Sequence, residues 1–193
     1  MAQGIRDAYD DVSGVLGGGK PDLPDTWRFS LDVAHQWEAA LEEAATPRTR
    51  KTILRSAMVM SADRGGVFDT LLGLVRHGLA RAAGDGRHFV SWIHGDDFVR
   101  AVRFLLGREG LASAVILAAP GPLPNAAFLR TLRDAAGVSA GLPATKWRLG
   151  TGAQALGAET ELILKSRYVV PRHLIEAGFT FEWPQAAQDL CRR

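Results

Sequence analysis

Between Ser91 and Leu106 the chain reads SWIHGDDFVRAVRFLL, and this stretch restricts the fold more than any other. Val90, Trp92 and Ile93 are apolar and either β-branched or aromatic, which suits an extended strand. Gly95 supplies a turn, and Asp96 or Asp97 offers a carboxylate to the first free N–H groups of a helix. Phe98, Ala101, Val102 and Leu105 then recur at the helical period, with Phe98, Val102 and Leu105 expected to be buried. Arg100 and Arg103 point the other way, and Gly107 ends the helix.

The rest of the chain repeats that alternation of strand and helix. A helix is expected from Asp25 or Thr26 to about Ala45, with Phe29, Val33, Trp37, Ala40 and Leu41 on a buried stripe and Glu38, Glu42 and Glu43 outside. After Pro47, residues Thr52 to Met60 form a short apolar run between charged neighbours, which reads as a buried parallel strand. Gly65 and Gly66 open a helix to about Leu79, and a Gly- and Arg-rich loop from Ala80 to His88 leads into the stretch at Ser91. Ala114 to Ala119 is a further strand, and Asn125 is expected to cap a helix that ends at Gly137. The segment from Val138 to Gly157 has no assignable pattern. Helices are expected at Glu159 to Leu164, at Pro171 to Ala177 and from Pro184, with Phe179, Phe181 and Trp183 alternating as a strand. The alternation implies an α/β layer with mainly parallel pairing.

Composition narrows the function classes. A chain of 193 residues that is 47% hydrophobic and 23% charged can bury a sizeable core. The formal charge of +2 comes from arginines scattered along the chain, so nucleic-acid binding has no patch to rest on. One cysteine, Cys191, allows no internal disulfide and suits a reducing compartment. No run reaches the length of a membrane span and no basic, apolar leader opens the chain, so a soluble cytoplasmic protein is expected.

Two motifs invite functional readings. Gly14 to Lys20 fits G-x-x-x-x-G-K, but Pro21 stands where a magnesium-binding Ser or Thr is needed and no apolar strand precedes it, so it reads as a loop. His94, between Trp92 and two aspartates, could serve acid/base or metal chemistry, while the simpler reading is a hydrogen-bonding group at a strand end. His35, His77, His88 and His173 show no metal-ligand spacing, so no metal site is expected.

Six segments taken in order resemble a known family. They are PDTWRFSLDVAHQWE at Pro24–Glu38, LRSAMVM at Leu54–Met60, RGGVFDTLL at Arg64–Leu72, SWIHGDDFVRA at Ser91–Ala101, PLPNAAFLR at Pro122–Arg130 and VVPRHLIEAGFTFEWP at Val169–Pro184. Together they resemble the C-terminal portion of the atypical extended short-chain dehydrogenase/reductases, the NAD-dependent epimerase/dehydratase-like proteins. The resemblance implies an incomplete Rossmann-like parallel sheet lacking its N-terminal dinucleotide-binding strands, with residues 1–90 its remnant, and a small α+β substrate domain over residues 91–193. It implies NAD or NADP as cofactor, touched by Arg55, Ser56, Ala57 and Met58, and a small-molecule substrate facing Arg64, Phe68, Arg87 and Trp92.

The residues also depart from that family. The G-x-G-x-x-G fingerprint occurs nowhere in the chain, and the residues four places after Tyr9 and Tyr168 are Ser13 and Arg172, so the family's Tyr-x-x-x-Lys pair is missing. Phe29 and Val33 occupy the helix that should carry the pair, and neither transfers a proton. No catalytic residue is therefore expected in this chain. An inactive part of a larger enzyme, or a non-catalytic binding module, is the expected function, with self-association or a partner chain.

Overall fold

The computed structural model describes residues 9–11, 25–61, 63–76, 86–111, 114–138 and 168–185. Its elements in chain order are β1 (Tyr9–Asp10), α1 (Asp25–Glu43), β2 (Leu54–Ser56), β3 (Met58–Met60), α2 (Val67–Arg76), β4 (Phe89–Val90) and β5 (Trp92–His94). They continue with α3 (Gly95–Leu106), β6 (Val115–Leu117), β7 (Leu123–Pro124), α4 (Asn125–Ala135), β8 (Val169–Val170) and α5 (Arg172–Glu176).

The chain is α/β with short parallel ladders, as the alternation of strand and helix implies. Strand β3 runs parallel to β5, pairing Met58 with Trp92 and Met60 with His94, and β2 runs parallel to β6, pairing Leu54 with Val115. Strand β1 is parallel to β8, while β4 and β7 form an antiparallel pair. The apolar run from Thr52 is thus two strands that change neighbours at Ala57, whose N–H donates to the Leu117 carbonyl at 2.9 Å.

Helices cover both faces, and the alternation of side chains along β5 decides which residue meets which cover. Trp92 belongs to a cluster with Met60, Phe68, Leu71 and Val75, and with Phe128, Leu129 and Leu132 of α4. Its neighbour Ile93 belongs to a second cluster with Ala101 and Leu105 of α3, Val115 and Leu117 of β6, Leu174 of α5 and Phe179. Parallel strands covered on both faces carry continuous apolar sequence, and β6 is buried at all three residues.

Several expectations are corrected. The cap of α3 is His94, not Asp96 or Asp97: its Nδ1 accepts the Asp96 N–H at 3.1 Å, and Gly95 is already helical. Asp97 is instead fully buried, its carboxylate accepting the N–H groups of Glu182 at 3.1 Å and Trp183 at 2.8 Å and pairing with Arg100. Arg100 therefore faces the C-terminal segment rather than open solvent, its Nη2 donating to the Thr180 carbonyl at 3.0 Å. Leu105 is buried, but Phe98 and Val102 are only partly so, lying against the second cluster. Residues 179–183 are not a strand, because two of their N–H groups go to Asp97 instead of to a neighbouring backbone.

Asn125 is the first residue of α4 and is fully buried; Pro124 holds the cap position, with no side-chain capping bond. Helix α4 does end as expected, with Gly137 at φ 67°. The largest correction concerns α1, whose supposedly buried stripe is open: Phe29 is 71% exposed and Trp37 75%. No described element covers that face. Likewise Leu54 and Ser56 of β2 are exposed, so the run from Thr52 is not a buried strand throughout. The glycine loop at 14–20, the stretch 139–157, the helix expected at 159–164, the helix expected beyond 185 and Cys191 lie outside the described residues.

Candidate functional site

Strands β3 and β5 end side by side, with Met60 opposite His94, and ligands of parallel sheets bind beyond such carboxyl ends. The loop after β3 is held by its own side chains: Ser61 Oγ donates to the Asp63 carboxylate while the Asp63 N–H returns to Ser61 Oγ at 3.3 Å. Gly95 lies close against this loop, where a Cβ would meet Ser61 Cβ at 3.3 Å and the Met60 carbonyl at 3.4 Å. A side chain there would require this loop to give by a few tenths of an ångström.

His94 is fixed on two sides. Its Nδ1 is occupied as an acceptor, which puts the proton of the neutral ring on Nε2, and the ring stacks on Trp183 with centroids 4.7 Å apart. The imidazole thus joins the start of α3 to the C-terminal segment, which is the hydrogen-bonding role expected of it. Among the described residues, no group of three or more His, Cys, Asp or Glu side chains is placed to hold a metal. Nor is any described helix long and apolar enough to cross a membrane.

The residues expected to touch the cofactor are contiguous but differently engaged. Arg55 grips Glu38 of α1 through Nε and Nη2, both at 2.9 Å, a bidentate pair that joins β2 to the helix. The guanidinium holds the Glu38 carboxyl below its ordinary range, mainly through this hydrogen bonding and against the opposing effect of burial. Ser56 is exposed, its hydroxyl donating to the Ala57 carbonyl at 2.8 Å; Ala57 is partly buried, and Met58 packs on the first core cluster.

Because the carboxyl of Glu38 is lowered in the folded chain, the pair stabilises fully at neutral pH and is lost as pH falls through that lowered value. Glu38→Gln should cost roughly 1 kcal/mol at neutral pH, typical of a well-formed but accessible pair. The gap between Glu38→Gln and the unaltered chain, followed by urea unfolding at a series of pH values, should close towards strong acid; a gap independent of pH would contradict the assignment.

The residues expected to face a substrate divide in two. Arg64 and Arg87 lie exposed, on the loop before α2 and just before β4. Phe68 and Trp92, 5% and 0% exposed, are packed inside the first core cluster, because their positions on α2 and β5 face the layer between helix and sheet. They build the wall; they do not present a surface to a ligand.

One position and one role that matter here escaped the sequence. The Asp11 carboxylate is buried and accepts N–H groups from Ile116 and His173, both at 3.0 Å, tying the early chain to β6 and α5. Asp97 does the same for residues 182 and 183. Their partners lie 85 to 162 residues away, so no local pattern marks them.

Comparison with known proteins now bears on this arrangement. A family profile described as a domain of unknown function, DUF1731, matches residues 149–190. The epimerase family protein Mb2239 of Mycobacterium bovis is 30% identical over 155 residues, 79% of this chain and 50% of that protein. The epimerase family protein SA0724 of Staphylococcus aureus is 27% identical over 168 residues, 85% of this chain and 54% of that one. The crystal structure of human epimerase family protein SDR39U1 with NADPH superposes with a TM-score of 0.75 and 26% identity, covering 99% of this chain and 60% of that one. The chain is similar to the C-terminal part of the extended short-chain dehydrogenase/reductase, epimerase-like proteins. It spans about half the length of the curated relatives it matches. A nucleoside-diphosphate sugar epimerase of Corynebacterium glutamicum, 22% identical with a TM-score of 0.67, shares the fold.

This similarity raises the question of whether the residues present fit a nicotinamide dinucleotide. A pyrophosphate needs unoccupied backbone N–H groups at a helix N-terminus. Among the described residues only α2 opens behind two consecutive glycines, and there the Gly65 N–H already donates to the Asp69 carboxylate at 3.0 Å. An acidic side chain occupies the place an anion would take. The described residues do not fit the pyrophosphate.

Proposed function

We propose that this chain forms the C-terminal part of an NAD(P)-dependent epimerase or oxidoreductase-like protein and that, alone, it neither holds the dinucleotide tightly nor transfers hydride. The observation that carries this reading is the likeness over 99% of the chain to an NADPH-bound family member of which only 60% is matched. Residues Arg55 to Met58 would line the nicotinamide end, and Arg64 and Arg87 the substrate side. Phe68 and Trp92 would support that wall from behind.

Physical chemistry supports inactivity of the chain by itself. Hydride transfer in this family's manner needs a tyrosine whose proton is exchanged beside a lysine, and α1 offers Phe29 and Val33 instead. A single contact near Ser56 leaves a long, flexible dinucleotide without anchorage for its phosphates, and its immobilisation costs several kcal/mol, on the order of 4 or more. Calorimetric titration of the purified chain with NADPH and with NADH should give no binding at micromolar ligand. Micromolar binding by the chain alone would overturn the reading.

A further inference from the structure

We infer that a proton on His94 decides whether the C-terminal segment around Trp183 stays seated on the end of β5, so that acid in the imidazole range loosens it. The inference is independent of any cofactor. It joins three parts of the chain through one ring: the last residue of β5, the start of α3 and the segment that Asp97 clamps.

The cap carries the first step. His94 stands before α3 with an extended backbone, φ −67° and ψ 143°, and its Nδ1 accepts the Asp96 N–H at 3.1 Å. An imidazole accepts only at a nitrogen that bears no proton, so this bond requires the neutral ring. Once the ring takes up a proton, Nδ1 becomes a donor facing another donor and the cap is lost. Asparagine, by contrast, caps a helix without titrating.

Trp183 carries the second step. Its ring stacks on the imidazole, with centroids 4.7 Å apart and planes 27° from parallel. The backbone N–H of Trp183 is held by Asp97, but its indole Nε1 is buried and finds no acceptor among the described residues. The side chain therefore keeps its place by stacking and burial alone. A buried donor without an acceptor gains by reaching water, so an indole that loses its seat on His94 is drawn outward.

The charges around the ring set the direction. Two influences favour the cation: Asp96 Oδ2 lies 3.7 Å from Nδ1, and the face of an indole attracts an imidazolium. The Asp96 side chain is exposed, so its attraction is screened, and turning Nδ1–H towards it still leaves the Asp96 N–H without an acceptor. The positive end of α3 opposes the cation. Asp97, beside it, is already engaged by Arg100 and by the N–H groups of Glu182 and Trp183. From the loop after β3, Asp63 is bonded to Ser61 and Arg64 is exposed; from the C-terminal segment, Glu182 pairs with Arg100. The seated arrangement thus needs the neutral ring, which is present above the imidazole range, roughly pH 6.5, and lost below it.

The test compares urea unfolding of the full chain and of His94→Asn between about pH 8 and about pH 5. Other histidines and the carboxylates titrate in both proteins and cancel from the difference. On acidification the unfolding constant of the unaltered chain should rise relative to the variant by roughly five-fold, the equivalent of one lost cap. The asparagine also gives up the stack on Trp183, so the trend with pH is the readout and not the offset between the two proteins. A second measurement needs no variant. Nitrogen-15 spectra of the unaltered chain should show Nδ1 of His94 without a proton at neutral pH, and the Trp183 indole N–H should exchange faster as the His94 ring titrates. A difference that is constant with pH, an unaltered chain that gains on acidification, a proton on Nδ1 at neutral pH, or an indole N–H indifferent to the His94 titration would each overturn the proposal.

Discussion

Replacing Asp97 with Ala should destabilise the chain by about 3–5 kcal/mol, the cost of breaking a buried charged network by removing one member. The side chain is fully buried, and its two oxygens serve the N–H groups of Glu182 and Trp183 together with the Arg100 guanidinium. Without it, two backbone donors lose their acceptor, and Arg100 keeps the Thr180 carbonyl and one carboxylate, Glu182 at 3.2 Å, whose side chain is 57% exposed. The neighbouring Asp96 is the internal control. Its side chain is 72% exposed and lies no nearer than 3.7 Å to His94 Nδ1, which is already engaged by the Asp96 backbone N–H, so Asp96→Ala should stay within a few tenths of a kcal/mol. Urea unfolding of the two variants, followed by circular dichroism, decides between them. Equal losses would mean that the carboxylate pair acts as a helix cap after all.

That contrast also measures what could be read without coordinates. Periodicity located β5 and α3 correctly, because alternation along a strand and recurrence along a helix are local properties of the residues involved. It could not tell Asp96 from Asp97, since both stand at the start of the helix and only the position of residues 182 and 183 separates them. The same limit explains residues 179–183: alternating aromatics are the signature of a strand, yet here they serve a loop clamped by a carboxylate. The short antiparallel pair of β4 and β7 was illegible for a related reason, two residues on each side being too few to set a period.

Helix α1 fails in a different way. Its apolar stripe is plain in the sequence, and inferring burial from it is sound physics. Yet Phe29, Trp37 and Leu41 stay open among the described residues, and a local pattern cannot show whether a cover is present. Of the candidate site, Ser56, Arg64 and Arg87 stand accessible as a contact residue must, whereas Arg55 is tied to α1 and Met58 packs on the core. A motif gives the order of residues along a strand but not which of two faces each one serves, and in a layer covered on both sides that choice separates wall from surface.

Trp92 turns this last distinction into a measurement. It is the largest side chain with no exposed surface, it lies between Met60, Phe68 and the Phe128 of α4, and its indole Nε1 donates to the Gly121 carbonyl at 3.3 Å. Truncation to alanine removes the bulk of a core contact and leaves a cavity, an expected loss of about 3–5 kcal/mol. Against a net stability on the order of 5–15 kcal/mol, that loss brings a marginal domain close to unfolding at room temperature. Trp92→Phe keeps most of the apolar volume and should cost clearly less, which separates loss of packing from loss of the indole hydrogen bond. A substrate-facing tryptophan would behave in the opposite manner, since an exposed wall residue can be truncated with little effect on melting. Thermal and urea unfolding of Trp92→Ala beside Trp92→Phe therefore tests the placement directly: an alanine variant that melts with the unaltered chain would return Trp92 to the substrate side and remove it from the core.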